Sequence, residues 1–173
     1  ALAAAADKLT ADRRKAGDAL KATIEKELKE LGINRVKFEA RLERTGYGPD
    51  GRDAVTFYIS PNAGEELKPL AAIVSSGEAA RVMLALKKAL IGVDPIPTLI
   101  FDEIDAQIGG RLGTVIGTKV RELSEERQVI LITHLPQIAS FADTHYKIVK
   151  TVEKNRTATA VVRLGKEERV GEL

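Results

Sequence analysis

The chain has 173 residues, 27 Lys and Arg against 25 Asp and Glu, a formal net charge of +2 and no cysteine. That length holds one domain with a substantial core, with or without an appendage. The charge balance excludes a uniformly basic nucleic-acid coat but leaves room for a local basic face, and the missing cysteines exclude disulfides and thiolate metal sites.

No apolar run approaches the roughly 20 residues that span a bilayer, so no membrane partner is expected. The first six residues are too short and too poor in bulky apolar side chains for a signal peptide. The chain opens inside a helical pattern without an initiator Met, which reads as a piece of a longer protein.

Residues 1–31 contain no proline, and their apolar positions Leu2, Leu9, Ala16, Leu20, Ile24, Leu28 and Leu31 are spaced by sevens, then fours and a three. This predicts a helix about 46 Å long, the base of a coiled-coil arm merging into a helix that packs on a globular body. Gly32 supplies its stop. The alternative is an amphipathic helix packed wholly on its own domain. Next, Val36, Phe38, Ala40 and Leu42 alternate with charged residues, and after a turn-rich stretch Val55, Phe57 and Ile59 alternate again. The two runs predict a hairpin with one wet face. Residues 60–74 carry Pro61, Gly64 and Pro69 and predict a connection with at most short structure.

Ser75-Ser76-Gly77-Glu78 opens a helix whose apolar positions include Val82, Met83, Leu86, Leu90 and Ile91. Ser75 with Glu78 has the form of a capping box, which needs no ligand. Gly77 is not required by that box, and a helix start with free amides is a seat for phosphate oxygens.

At the centre, Thr98-Leu99-Ile100-Phe101 stops at Asp102 and Glu103, and Val129-Ile130-Leu131-Ile132 stops at Thr133 and His134. Each has the pattern of a strand buried on both faces of a parallel sheet. Between them Ile108, Leu112, Val115, Ile116, Val120 and Leu123 recur at helical spacing, so strand, helix and strand predict one βαβ unit. Asp102, Glu103 and His134 then leave the sheet at the same carboxyl edge, where α/β sheets bind ligands. Two carboxylates and an imidazole there point to metal-phosphate chemistry. Taken singly, Asp102 and Glu103 could cap the following helix, Asp105 is an ordinary turn residue, and a lone histidine is more often structural. Beyond Pro136 a short helix and two further strands, 146–152 and 159–164, are expected with a turn near Asn155, and the charged tail from Gly165 reads as frayed.

These marks together resemble the C-terminal lobe of an ABC-type P-loop ATPase head, of the kind that SMC, Rad50 and RecN proteins carry on coiled-coil arms. Val74-Ser75-Ser76-Gly77-Glu78 is similar to the ABC signature and Leu99-Ile100-Phe101-Asp102-Glu103 to a Walker B strand. Asp105 falls at the D-loop aspartate and His134 at the switch histidine. Within the group, Gly77-Glu78-Ala79-Ala80-Arg81, Phe101-Asp102-Glu103-Ile104-Asp105 and Ile132-Thr133-His134-Leu135-Pro136-Gln137 look most like the RecN family of bacterial double-strand-break repair ATPases. The resemblance runs from about residue 35 onward, and the arm matches in character only. Ser76 stands where the pattern usually has glycine, which requires helical φ there. No Gly-x-x-x-x-Gly-Lys-Ser/Thr occurs in the chain.

The resemblance implies an α/β fold, a parallel βαβ core with flanking antiparallel strands, in which residues 1–32 form the base of the arm and 33–173 the lobe. It implies ATP and Mg²⁺ as ligands, with Asp102 on the metal, Glu103 and His134 catalytic, and Ser75, Ser76, Gly77, Glu78 and Asp105 at the nucleotide across a pair of heads. The implied partners are an N-terminal Walker A lobe of the same protein, a second head and DNA, at the nucleoid in the cytoplasm. The chain alone would be half an active site and inactive. Two rival readings come from other classes. One is a metal-dependent phosphodiesterase with Asp102, Glu103, Asp105 and His134 or His145 as ligands, though a two-metal site wants further His and Asp. The other is a non-enzymatic DNA-binding or dimerising module, for which Arg13, Arg14, Lys15, Lys87, Lys88, Lys147 and Lys150 are scattered without aromatic interleaving.

Overall fold

The computed structural model of the chain describes residues 1–60, 64–72, 76–153 and 156–173. Pro61, Asn62, Ala63, Ser75 and the turn at Asn155 lie outside the described residues. Contacts divide the chain into two units, Ala1–Ile96 and Pro97–Leu173. Among the described residues no helix is long and apolar enough to cross a membrane.

The first unit is built on helix α1, Leu2–Glu30. Gly32 ends it in the left-handed region at φ 84. The Gly32 amide bonds to the Lys29 carbonyl at 3.1 Å and the Ile33 amide to the Leu28 carbonyl at 2.9 Å, the paired bonds of a Schellman stop. Strands β1, Lys37–Gly48, and β2, Gly51–Ser60, form the expected antiparallel hairpin, with a register shift between Arg44 and Gly48. β3, Lys68–Pro69, pairs with β2, and a 3-10 turn follows at Leu70–Ala72. Helix α2 spans Ser76–Ala89.

Helix α1 lies along the hairpin. Ile24 and Leu28 are fully buried, as are Phe38 and Ile59, and a Cβ on Gly17 would sit 3.1 Å from that of Ala40. Its N-terminal half is held by a polar seam. The Thr10 hydroxyl donates to Asp53 Oδ2 at 2.6 Å, Arg13 donates to the Asp50 carbonyl at 2.7 Å, and Asp7 pairs with Arg52. Hydrogen bonds of this type fix the helix azimuth without needing a wide apolar stripe, and Leu2 at its start is left exposed. On α2, Val82, Leu84, Ala85 and Leu86 are buried. Met83, expected on the apolar stripe, is instead 43% exposed; one residue past Val82, it is turned about 100° from it around the helix axis.

The second unit holds β4, Thr98–Phe101, helix α3, Gly110–Ser124, and β5, Gln128–Leu131. The two strands are parallel, Leu99 opposite Val129 and Phe101 opposite Leu131, as the βαβ pattern predicts. Leu99 and Phe101 are buried, and so are Ile116 and Leu123 of α3. The other face differs from expectation: Ile100 is 66% exposed, Ile130 46% and Ile132 48%. The strands carry the both-faces-buried pattern, yet the described residues cover one face only.

Helix α4, Pro136–Ala139, follows β5. It approaches α3 along a row of small residues: Cβ atoms at Gly110 and Gly113 would stand 3.0 Å from Gln137 and 3.3 Å from Leu135, and one at Gly117 would overlap the Phe141 ring. β6, Tyr146–Glu153, and β7, Arg156–Arg163, pair antiparallel. The tail expected to fray is a helix, α5, Lys166–Glu172. The Glu168 carboxylate accepts the Gly165 amide at 2.6 Å, Arg169 donates to the Ala142 carbonyl at 2.7 Å, and Glu172 pairs with Lys147. The first is a local cap, and the other two are side-chain bonds to distant segments, which a charged tail does not reveal by periodicity.

Gly117→Ala is expected to destabilise the protein by about 1–3 kcal/mol through overpacking against Phe141, although alanine in an unconstrained helix would gain roughly 1 kcal/mol. Urea unfolding of the single variant and of Gly117→Ala with Phe141→Leu checks this, with partial recovery expected in the double variant.

Candidate functional site

Parallel pairing sets the site. The Ile132 amide bonds to the Phe101 carbonyl at 3.0 Å, one step beyond the last strand pair, so the residues after β4 and after β5 leave the sheet side by side. After β4 the chain turns sharply. Glu103 has φ 56 and Gln107 φ 60, both in the left-handed region, which costs a side-chain-bearing residue on the order of 1 kcal/mol. The turn is held by the Glu103 amide on Asp102 Oδ1 at 2.9 Å and by the Ala106 amide on the Glu103 carbonyl at 3.0 Å. Ile104, with no exposed surface, pins it to the core. The outcome is an alternation: Asp102 and Glu103 are exposed, Ile104 and Asp105 buried.

Asp105 is 3% exposed and its Oδ2 faces the segment that follows β5. It accepts the Thr133 hydroxyl at 2.5 Å and the His134 amide at 2.9 Å, and it lies 3.1 Å from His134 Nδ1. The Thr133 oxygen in turn accepts the Leu135 amide at 3.0 Å. The imidazole itself is outside, its side chain 73% exposed. Burial pushes the Asp105 carboxyl upward, but the bonds from Thr133 and the His134 amide, with the nearby His134 ring, outweigh it and leave the carboxyl below the usual range. Asp105 Oδ2 is thus engaged within its own unit.

Asp102, Glu103, Asp105 and His134 are therefore gathered at one edge of the second unit. Ser76, Gly77 and Glu78 belong to the first unit, at the start of α2. Ser76 is helical, the condition for serine to replace glycine there. Ser75 lies outside the described residues. Sequence reasoning missed Thr133, whose hydroxyl joins Asp105 to the turn; a hydroxyl next to a histidine at a strand end was the available signal. An open concavity lined by Asp143, Arg163, Lys166 and Arg169 contains none of the expected site residues. Among the described residues no three His, Asp or Glu side chains converge as a metal cage. Mg²⁺ needs no such cage: it binds through one or two carboxylates together with phosphates and water, and Asp102 has only Oδ1 engaged by the Glu103 amide.

Asp105→Asn is expected to lower unfolding free energy by about 2 kcal/mol at pH 7, since it removes the charge from the acceptor of two hydrogen bonds, those of the Thr133 hydroxyl and the His134 amide. The folded carboxyl sits below its unfolded value, so this contribution is present above about pH 4 and lost as pH falls through the folded value. Denaturant unfolding of both proteins from pH 7 down to pH 3 should show the gap closing.

No family model matches the chain. The DNA repair protein RecN of Xylella fastidiosa (strain 9a5c) is 38% identical over 172 residues, 98% of this chain and 31% of that protein. RecN of Treponema pallidum is 41% identical over 174 residues, 95% of this chain and 30% of that protein, and RecN of Bacillus subtilis is 45% identical over 123 residues, 71% of this chain and 21% of that protein. The chain spans less than a third of the length of these relatives. Among solved structures, the Smc head domain with a coiled coil and joint from Pyrococcus yayanosii superposes with a TM-score of 0.62 at 24% identity, covering 89% of this chain and 28% of that one. The SmcHead bound to the C-winged helix domain of ScpA gives a TM-score of 0.56 at 23% identity over 90% of this chain and 45% of that one. At such identities the likeness shows the fold.

Proposed function

The chain belongs to the RecN family of DNA repair proteins, and from that membership we propose that it forms the C-terminal lobe of an ATPase head, one half of an ATP-hydrolysing site used in double-strand-break repair and recombination. The observation that carries this reading is the placement of Asp102, Glu103 and His134 just beyond the ends of two neighbouring parallel strands, the edge at which α/β sheets receive phosphate ligands.

Phosphoryl transfer asks the protein mainly for positioning and charge stabilisation. Asp102 would hold Mg²⁺, directly or through water; when bound, that cation neutralises charge on the β- and γ-phosphates. Glu103 orients and polarises the attacking water, and the left-handed turn that exposes its side chain costs energy with no packing return at Glu103 itself, as at other strained functional positions. His134 meets the γ-phosphate end of the nucleotide. Ser76, Gly77 and Glu78 at the start of α2, together with Ser75 before them in sequence, cap the γ-phosphate held by a second head, where free amides and the helix dipole favour an anion.

The loop that wraps the β- and γ-phosphates comes, on this reading, from an N-terminal lobe of the same protein. The exposed face of Ile100, Ile130 and Ile132 supports that assignment: a parallel sheet is normally covered on both faces, and covering each isoleucine contributes on the order of 1 kcal/mol or more. Residues 1–32 serve as the base of a coiled-coil arm, with α1 anchored on β1 and β2. ATP sandwiched between two heads would drive their pairing and the holding of DNA ends, in the cytoplasm at the nucleoid.

The isolated chain is expected to show no ATP turnover, and turnover should appear when it is mixed with the N-terminal lobe in Mg²⁺ and ATP; phosphate release by the chain alone would contradict the divided site. In the intact protein, Glu103→Gln should cut turnover by about a hundredfold or more, in line with the loss of a positioned acid or base. ATP binding should persist, and heads should accumulate as pairs in size-exclusion chromatography.

A further inference from the structure

The second unit has an open concavity of about 500 Å³, lined by Asp143 and Thr144 before β6 and by Arg163, Lys166 and Arg169 at and beyond the end of β7. Its charge is lopsided. The carboxylate of Asp143 is taken by Arg121 at 2.5 Å; that guanidinium, with a smaller share from Arg169, holds it below the usual carboxylate range. Arg169 donates to the carbonyls of Ala142 and Asp143 at 2.7 and 3.4 Å. Both acceptors are neutral, so Arg169 is fixed in place and keeps its charge. Arg163 and Lys166 are exposed, and their side chains have no bonded partner among the described residues. Of the nearby acids, Glu168 is engaged by the Gly165 amide and Glu172 by Lys147. Three cations thus meet one neutralised acid, a setting that suits phosphate.

Strand register supplies the rest. Tyr146 stands opposite Arg163, Ile148 opposite Val161 and Lys150 opposite Thr159, and directly opposed side chains share a face of the hairpin. Arg163 at the lip of the concavity therefore has an aromatic neighbour, and an apolar strip runs from there to Lys150, roughly 13 Å away at about 3.3 Å per residue. Tyr146 is 57% exposed, Ile148 58% and Val161 67%. Along the sequence these basic residues are scattered with no aromatic interleaved; pairing of β6 with β7 interleaves them.

We propose that this concavity and the adjoining face of the β6–β7 hairpin bind single-stranded DNA, with a backbone phosphate among Arg163, Lys166 and Arg169 and a base stacked on Tyr146. A duplex turns only phosphates and groove edges outward, so the ring and the apolar strip would gain nothing from it. An unstacked strand offers phosphates and bare base faces together. The choice of DNA as the nucleic acid rests on the function proposed above, which gives DNA no residues; the charge and the ring do not depend on it.

The test uses the intact protein without nucleotide, titrated into fluorescent oligothymidine at several salt concentrations. Arg163→Gln with Lys166→Gln should weaken binding about tenfold or more and flatten the slope of log K against log salt by about 1.4, two single-strand phosphate contacts at about 0.7 each. Tyr146→Ala should cost about fivefold or more, the scale of one lost base stack, while Tyr146→Phe binds as the unaltered protein does and duplex binding by Tyr146→Ala stays within about twofold. Unchanged affinity and slope in the double variant overturn the inference, as does an equal loss on duplex in Tyr146→Ala. Inorganic phosphate should not displace the strand at matched phosphate concentration; if it does, the concavity is a small-anion site instead. Photocrosslinking of the unaltered protein to an oligothymidine carrying 5-iodouracil needs no variant to fold: it should mark Tyr146, and marks confined to other segments count against the site. If the intact protein hydrolyses no ATP, the proposed function fails while oligothymidine binding still decides this inference.

Discussion

One buried carboxylate joins the two strand ends on which the site depends. Parallel pairing of β4 with β5 brings Phe101 level with Leu131, and backbone bonding between the two segments continues one step further, from the Ile132 amide to the Phe101 carbonyl. Beyond it, Asp105 ties the two by accepting from Thr133 and His134. A charge removed from water is costly unless every lone pair it turns inward is met. Here the donors include the main-chain amide of the next residue, so the tie fixes backbone as well as side chain. The glycine row of α3 serves the same end from the other side, by letting Leu135 and Gln137 come close enough to seat the loop.

The fold was readable where burial follows a simple period. The alternation of Val36, Phe38, Val55, Phe57 and Ile59 gave the hairpin, and the apolar runs before Asp102 and Thr133 gave the parallel pair. Four marks in order, at Ser75, Asp102, Asp105 and His134, pointed to an ABC-type head, and kinship with RecN proteins over 98% of the chain agrees. What stayed hidden was set by single atoms meeting across long separations. Nothing in the spelling of Glu103 announces φ 56, because that conformation is imposed by Ile104 and Asp105 turning inward next to it. Likewise Asp105 looks like any turn acid until Thr133, 28 residues on, is brought beside it. Helix α5 escaped detection for a similar reason, since Lys147 and the carbonyls of residues 142 and 143 stabilise it from outside its own sequence.

The uncovered face of the sheet is the place where sequence pattern and structure disagree in an informative way. Ile100 and Ile130 are opposite one another, and Ile132 continues the same face, so the three form one apolar strip beside the carboxylates. A strand selected only to cover α3 would alternate, apolar inward and polar outward; these strands do not. The composition is that of a sheet covered on both faces, and the described residues cover one. On the function proposed above, an N-terminal lobe would supply both that cover and the phosphate-wrapping loop; the sheet could not then be covered without the loop arriving beside Asp102 and Glu103, so assembly of the core and of the active site would be a single event. Acidic side chains left bare at the edge of a half-covered sheet would then do no chemistry until the rest of the head is in place.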